Sequence, residues 1–213
     1  MCGRYTLFLQ VDDVLVAFDL DEALINWVPK YNVAPTNQVL AITEEKPRAA
    51  VGLKWTITIH SASENKDIPL INIKSETILE KGHFRRPRYR PCLIPANGFY
   101  EWRKSDKQPF YFHLNNDEPF AFAGLWTTEK KDDQEIKTCA ILTCTPNKLV
   151  ETVHNRMPVM LERHVAKDWL RVQTPTDYQA FLRPYPAEAM AVHAVGKQIN
   201  RPTYDGPDCI AVI

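Results

Sequence analysis

An α+β fold, a single domain over residues 1–213 with a mixed, barrel-like sheet and a few short helices, is the class this sequence predicts. Three observations carry it. Strand-like apolar segments outnumber helical ones, 16 prolines cut the chain into short elements, and strands and helices follow no regular βαβ order. No internal repeat or low-complexity linker divides the chain.

The elements follow in order. Val11, Val14, Leu15 and Phe18 stand at i, i+3, i+4 and i+7, which predicts an amphipathic helix over 11–19. VLAIT (39–43), PLINI (69–73), CLIPANGFYEW (92–102), PFYFHL (109–114), FAFAGLW (120–126) and TCAILTC (138–144) read as strands. Thr145-Pro146 reads as a cap followed by proline at the first helical position, with the helix running toward Val153. Another helix covers about 162–171, and Thr174-Pro175 opens one that ends before Pro184.

Charge and cysteine content narrow the function. The 26 basic and 26 acidic residues balance, which argues against coating nucleic acid by bulk charge yet leaves room for a local basic strip. Five cysteines are an odd number, none in a CxxC pair, and no His/Cys spacing suggests zinc. Free thiols in a reducing compartment are the simplest reading, and no residue set calls for a metal or an organic cofactor. The stretch MCGRYTLFLQ has no signal-peptide pattern, and no apolar run approaches the roughly 18 residues of a membrane span. The expectation is a cytoplasmic protein, nucleoid-associated if bacterial, with no membrane partner.

Four residues stand out chemically. Cys2 follows Met1 directly, and loss of Met1 would give it a free amine beside its thiol. The two groups have reference pKa values of roughly 7.7–8.0 and about 8.5, so both are usable nucleophiles near neutrality. Asn72 interrupts the run PLIN, Glu101 lies between aromatics in GFYEW, and His154 ends LVETVH. Each has a plain alternative: a loose terminus for Cys2, a strand-end cap for Asn72, a solvent-facing position for Glu101, and a helix C-terminal residue for His154. Together they form a set able to do covalent carbonyl chemistry. FRRPRYRP (84–91) adds Arg85, Arg86, Arg88 and Arg90 with interleaved aromatics, suited to phosphates and bases or simply a solvated connector.

In combination, MCGRY, YNVAPT (31–36), PLINIKSET (69–77), CLIPANGFYEW, the strand containing Thr143, VHNRMPVML (153–161) and VGKQINRP closely resemble the SRAP family (SOS response-associated peptidase proteins). Its members recognise abasic sites in single-stranded DNA. The resemblance implies that Cys2, freed of Met1, closes a reversible thiazolidine on the abasic-site aldehyde. It implies Glu101 as general acid/base, His154 as a proton shuttle that bonds the opened sugar, and Asn72 as the group that orients Cys2. It places Arg4, Lys74, Arg85, Thr143 and Arg156 on DNA and Asn32 in a pocket near the terminus. Lys74 stands where the family usually has arginine, which keeps the charge but loses the bidentate fork. The family's aromatic wedge has no clear counterpart in VGLKWTITIHSASENKD (51–67), where Trp55 is the nearest candidate. The implied partner is single-stranded DNA bearing abasic sites, bound by a monomer that needs no metal. Two rival readings are a thiol (auto)peptidase using Cys2 and His154, and a noncovalent single-stranded DNA-binding module.

Overall fold

The structure, a computed structural model, describes residues 2–61, 63–80, 89–172 and 175–213. The elements begin with β1 (Arg4–Leu7), α1 (Val11–Phe18), β2 (Glu22–Ala23), β3 (Lys30–Val33), β4 (Gln38–Thr43) and β5 (Lys46–Trp55). They continue through β6 (Ile57–Ser61), β7 (Lys66–Leu70), β8 (Asn72–Lys74), α2 (Ser75–Glu80), β9 (Arg90–Ala96) and β10 (Gly98–Trp102). Next come β11 (Pro109–Leu114), β12 (Phe120–Lys131), β13 (Gln134–Cys144), α3 (Lys148–Glu151), β14 (Met157–Pro158) and β15 (Met160–Leu161). The chain ends with α4 (Arg163–Trp169), α5 (Pro175–Phe181), β16 (Met190–Ala194) and short 3₁₀ turns at Lys197–Asn200 and Pro207–Ile210.

A closed barrel forms the larger layer. β5, β4, β9, β12 and β13 pair antiparallel in that order. β13 then closes the ring on β5 through a parallel pairing, Thr138 opposite Lys54 and Cys139 opposite Trp55. Closure removes the edges that would otherwise expose unpaired backbone groups. A second sheet runs β16-β11-β10-β1-β3, and β6 and β7 form a separate hairpin. One large apolar cluster spans both layers, and a smaller one of Tyr100, Tyr111, Val195, Ile199 and Cys209 packs on the second sheet. Tyr5 packs edge-on against Trp55 at 5.4 Å and against Phe122 at 5.6 Å between ring centroids, while Phe99 stacks on Phe112 at 5.0 Å. Trp55 is therefore a core residue, fully buried with its indole N–H donated to the Ile71 carbonyl, and it cannot stand as an aromatic against DNA.

Two predicted strands break where polar bonds intervene. CLIPANGFYEW leaves the barrel at Asn97, whose N–H bonds Thr6 O at 2.8 Å and whose side chain accepts from Phe8 N at 3.0 Å. β9 therefore belongs to the barrel and β10 to the second sheet. PLINI breaks at Ile71, whose carbonyl accepts from both Trp55 and Ile141, so Asn72 starts a new strand beside β13. The helix expected from Thr145-Pro146 is one turn long and is capped by Asn147, whose side chain accepts from Leu149 N and Val150 N. Gly98 permits one close approach: a Cβ there would lie 2.4 Å from the Tyr111 ring, whose hydroxyl bonds Thr6 across β10.

Candidate functional site

The site lies where the barrel meets the second sheet. β1 pairs with β10 with Arg4 opposite Tyr100, which carries Cys2 toward the end of the strand that holds Glu101. From the barrel side, β8 runs parallel to β13 with Asn72 opposite Ile141. The Asn72 amide donates to Cys2 O at 2.9 Å, and the Cys2 thiol points to Arg4 O at 3.7 Å. His154 follows α3, and its Nδ1 lies 3.9 Å from Glu101 Oε1. Cys2, Asn72 and Glu101 are buried and His154 is partly so. Four residues spread over more than 150 positions thus meet.

Burial sets the protonation states. The Cys2 thiol is pushed well above its ordinary range by desolvation, with the Glu101 charge adding to the rise. Burial lifts the Glu101 carboxyl from the usual 4.5 to about 7, so near neutrality it both gives and takes a proton. Desolvation lowers His154 below its ordinary value, which favours the neutral ring. Its Nδ1 lies 3.1 Å from both the backbone N–H and the carbonyl oxygen of Arg156, which fixes the ring against that turn. The arrangement supplies a held thiol, an acid/base at its working pH and a neutral imidazole beside it.

The other candidates have different surroundings. Thr143 is buried opposite Lys74 in the β8–β13 pairing, and Lys74 is exposed. Arg156 donates to Thr143 O at 2.6 Å and forms a two-pronged pair with Glu76. Arg4 donates to Asn32 Oδ1 at 2.8 Å, Ile199 O at 2.6 Å and Asn200 O at 3.3 Å. The Asn32 amide donates to the carbonyls of Ile199, Arg201 and Tyr204. Arg85 and most of FRRPRYRP lie outside the described residues. At the end of that segment, Arg90 pairs with Glu44 and Glu45 and stacks 3.8 Å over the Trp126 ring.

Sequence reasoning missed Glu76, although it lies in the motif PLINIKSET; its partner Arg156 is 80 positions away, and no local pattern joins them. Two surface clefts of about 670 and 750 Å³ flank α4 and share Glu162, His164 and Tyr185. Neither is lined by Cys2, Asn72, Glu101 or His154. Among the described residues no cluster of three or more His, Cys, Asp or Glu could hold a metal, and no helix is long and apolar enough to cross a membrane.

A barrel and a second sheet converge on a buried cysteine at position 2, with an acid, an amide and an imidazole around it. A family model described as SOS response associated peptidase (SRAP) matches residues 1–202, and the chain belongs to that family. It is 38% identical over 223 residues to "Abasic site processing protein YoqW" of Bacillus subtilis, covering 99% of each chain. It is 39% identical over 215 residues to "Abasic site processing protein YoaM" of the same bacterium, covering 95% of this chain and 94% of that one. A solved structure from Bacteroides thetaiotaomicron shares the fold, with a TM-score of 0.85, 20% identity and full coverage of both chains.

Proposed function

We propose that this protein captures abasic sites in single-stranded DNA by a covalent, reversible link through Cys2. The observation that carries the reading is the grip of Asn72 on the Cys2 carbonyl within reach of Glu101 and His154. The names of its relatives, abasic site processing proteins, support the same substrate.

The chemistry begins with hydrolysis of the Met1–Cys2 peptide bond, by an aminopeptidase or by the protein itself. This frees the Cys2 amine. The opened abasic sugar presents an aldehyde at C1′, and the amine adds to it to give a carbinolamine. Glu101 in its acid form protonates the departing hydroxyl, so water leaves and an imine forms. The thiol then adds to the imine carbon, and its proton ends on the ring nitrogen through Glu101 or His154. The sum is aldehyde plus aminothiol giving thiazolidine plus water. Because amine and thiol share one residue, ring closure is intramolecular and avoids a second encounter. Asn72 fixes the residue, and Glu101 serves the reverse steps as well.

The test combines intact mass with a denaturing gel. Protein shown to lack Met1 is mixed with single-stranded DNA carrying one abasic site. A heat-stable shifted band is expected, absent with intact DNA and with Cys2→Ala. Absence of the band from fully processed protein would sink the reading.

A further inference from the structure

The family resemblance assigns Arg156 to a backbone phosphate, yet its fork is filled. Nη1 donates to Glu76 Oε1 at 2.7 Å and Nη2 to Oε2 at 2.9 Å, the parallel geometry with which guanidinium also binds phosphate. The two partners are held differently. Arg156 is 14% exposed and is tied to the main chain by its bond to Thr143 O. Its Nε is buried with no hydrogen-bond partner among the described residues. Glu76 is 45% exposed, stands in the first turn of the short helix α2, and also accepts from the Ser75 hydroxyl at 3.3 Å. The guanidinium is anchored, whereas the carboxylate can turn into solvent.

We propose that Glu76 is a displaceable stand-in for phosphate: it occupies the Arg156 fork in the free protein and yields it to a phosphate of the incoming strand. This rests on the DNA-binding reading above. Exchange suits the geometry because carboxylate and phosphate offer the same pair of oxygens to one face of the fork. Glu76 cannot remain there once phosphate arrives, since two anions would share one cation. It therefore weakens DNA binding by the strength of a half-exposed ion pair, up to about fivefold, plus the repulsion of the retained charge. Neighbouring Lys74 is exposed on the same motif.

The experiment measures noncovalent binding of an undamaged single-stranded oligonucleotide by fluorescence anisotropy at several salt concentrations. Thermal melting of each variant checks that it is folded. Glu76→Gln is expected to bind about three- to tenfold tighter at low salt, while Glu76→Asp, which keeps the charge, stays near wild type. Arg156→Ala is expected to bind more weakly and to reduce the salt slope by about 0.7, the loss of one phosphate contact on a single strand. Adding Glu76→Gln to Arg156→Ala should then bring no gain. Equal or weaker binding by Glu76→Gln, with the Arg156→Ala loss intact, overturns the proposal alone and makes Glu76 a residue that positions Arg156. A gain that persists without Arg156 overturns it as a general charge effect. Undiminished binding by Arg156→Ala overturns the phosphate reading of Arg156, and the proposal with it.

Discussion

Asn32 and Asn72 are the same buried residue in two polar regions of this protein, and they are held in opposite ways. Asn32 accepts from Arg4 and donates to three carbonyls of the segment 199–204, while its backbone N–H bonds Asp205. It ties the C-terminal segment to the start of the chain. Asn72 makes one side-chain bond, to Cys2 O, and leaves Oδ1 buried with no hydrogen-bond partner among the described residues. Nearby, the Tyr5 hydroxyl is likewise buried without a hydrogen-bond partner there. A satisfied network stabilises the fold. Polar atoms left short of partners beside a shifted acid and a shifted thiol mark the region to which the proposed function assigns the substrate.

Substitutions can break or sharpen that contrast. Asn32→Ala should have the largest effect, destabilising the protein by about 3 kcal/mol, because three carbonyls and an arginine lose their shared partner. Urea unfolding measures it, and cross-linking by the remaining folded protein should continue. A loss of the adduct without a loss of stability would place Asn32 in the chemistry instead.

Glu101→Gln should act in the opposite direction. The folded pKa of Glu101, about 7, exceeds its usual 4.5, so the fold favours the acid. That contribution is fully present below pH 4.5 and is lost as the pH rises through 7. Removing the charge should therefore stabilise the protein at pH 8 by on the order of 3 kcal/mol, and by little at pH 4. Thermal denaturation at the two pH values checks the sign, and cross-linking should slow at both.

Asn72→Ala should cost only about 1 kcal/mol, since it removes one hydrogen bond and one unpartnered acceptor. Its adduct should form at least about tenfold more slowly, as misplacement of a reacting group predicts. Tyr5→Phe is the smallest: removing a buried hydroxyl that makes no hydrogen bond should leave stability unchanged or raise it by about 1 kcal/mol. A clear loss of stability would mean that the hydroxyl has a partner in solution.

Much of the molecule was legible in the amino-acid order because its signals are local. The i, i+3, i+4, i+7 apolar spacing placed α1 within a residue, and apolar runs marked β4, β11, β12 and β13. The order of motifs pointed to the family and to Cys2, Asn72, Glu101 and His154. Less was legible where a contact outranks a pattern. The run 92–102 looks like one strand, but the bonds that Asn97 makes to Thr6 and Phe8 send its halves into different sheets. β1, β3 and β5 were not marked as strands, since their sequences mix charged with apolar residues.

What the order of residues determined by itself is therefore the set of short elements and the chemical inventory. The reason is that helix periodicity, proline breaks and the placing of a cysteine directly behind Met1 are properties of neighbours. Only the tertiary structure decided that β13 closes the barrel on β5, that Arg4 reaches a carbonyl 195 positions away, and that Arg156 faces Glu76 rather than open solvent. Those pairings depend on the register of strands far apart in the chain. A shift of one residue in register would turn each side chain to the opposite face without altering the sequence pattern at all.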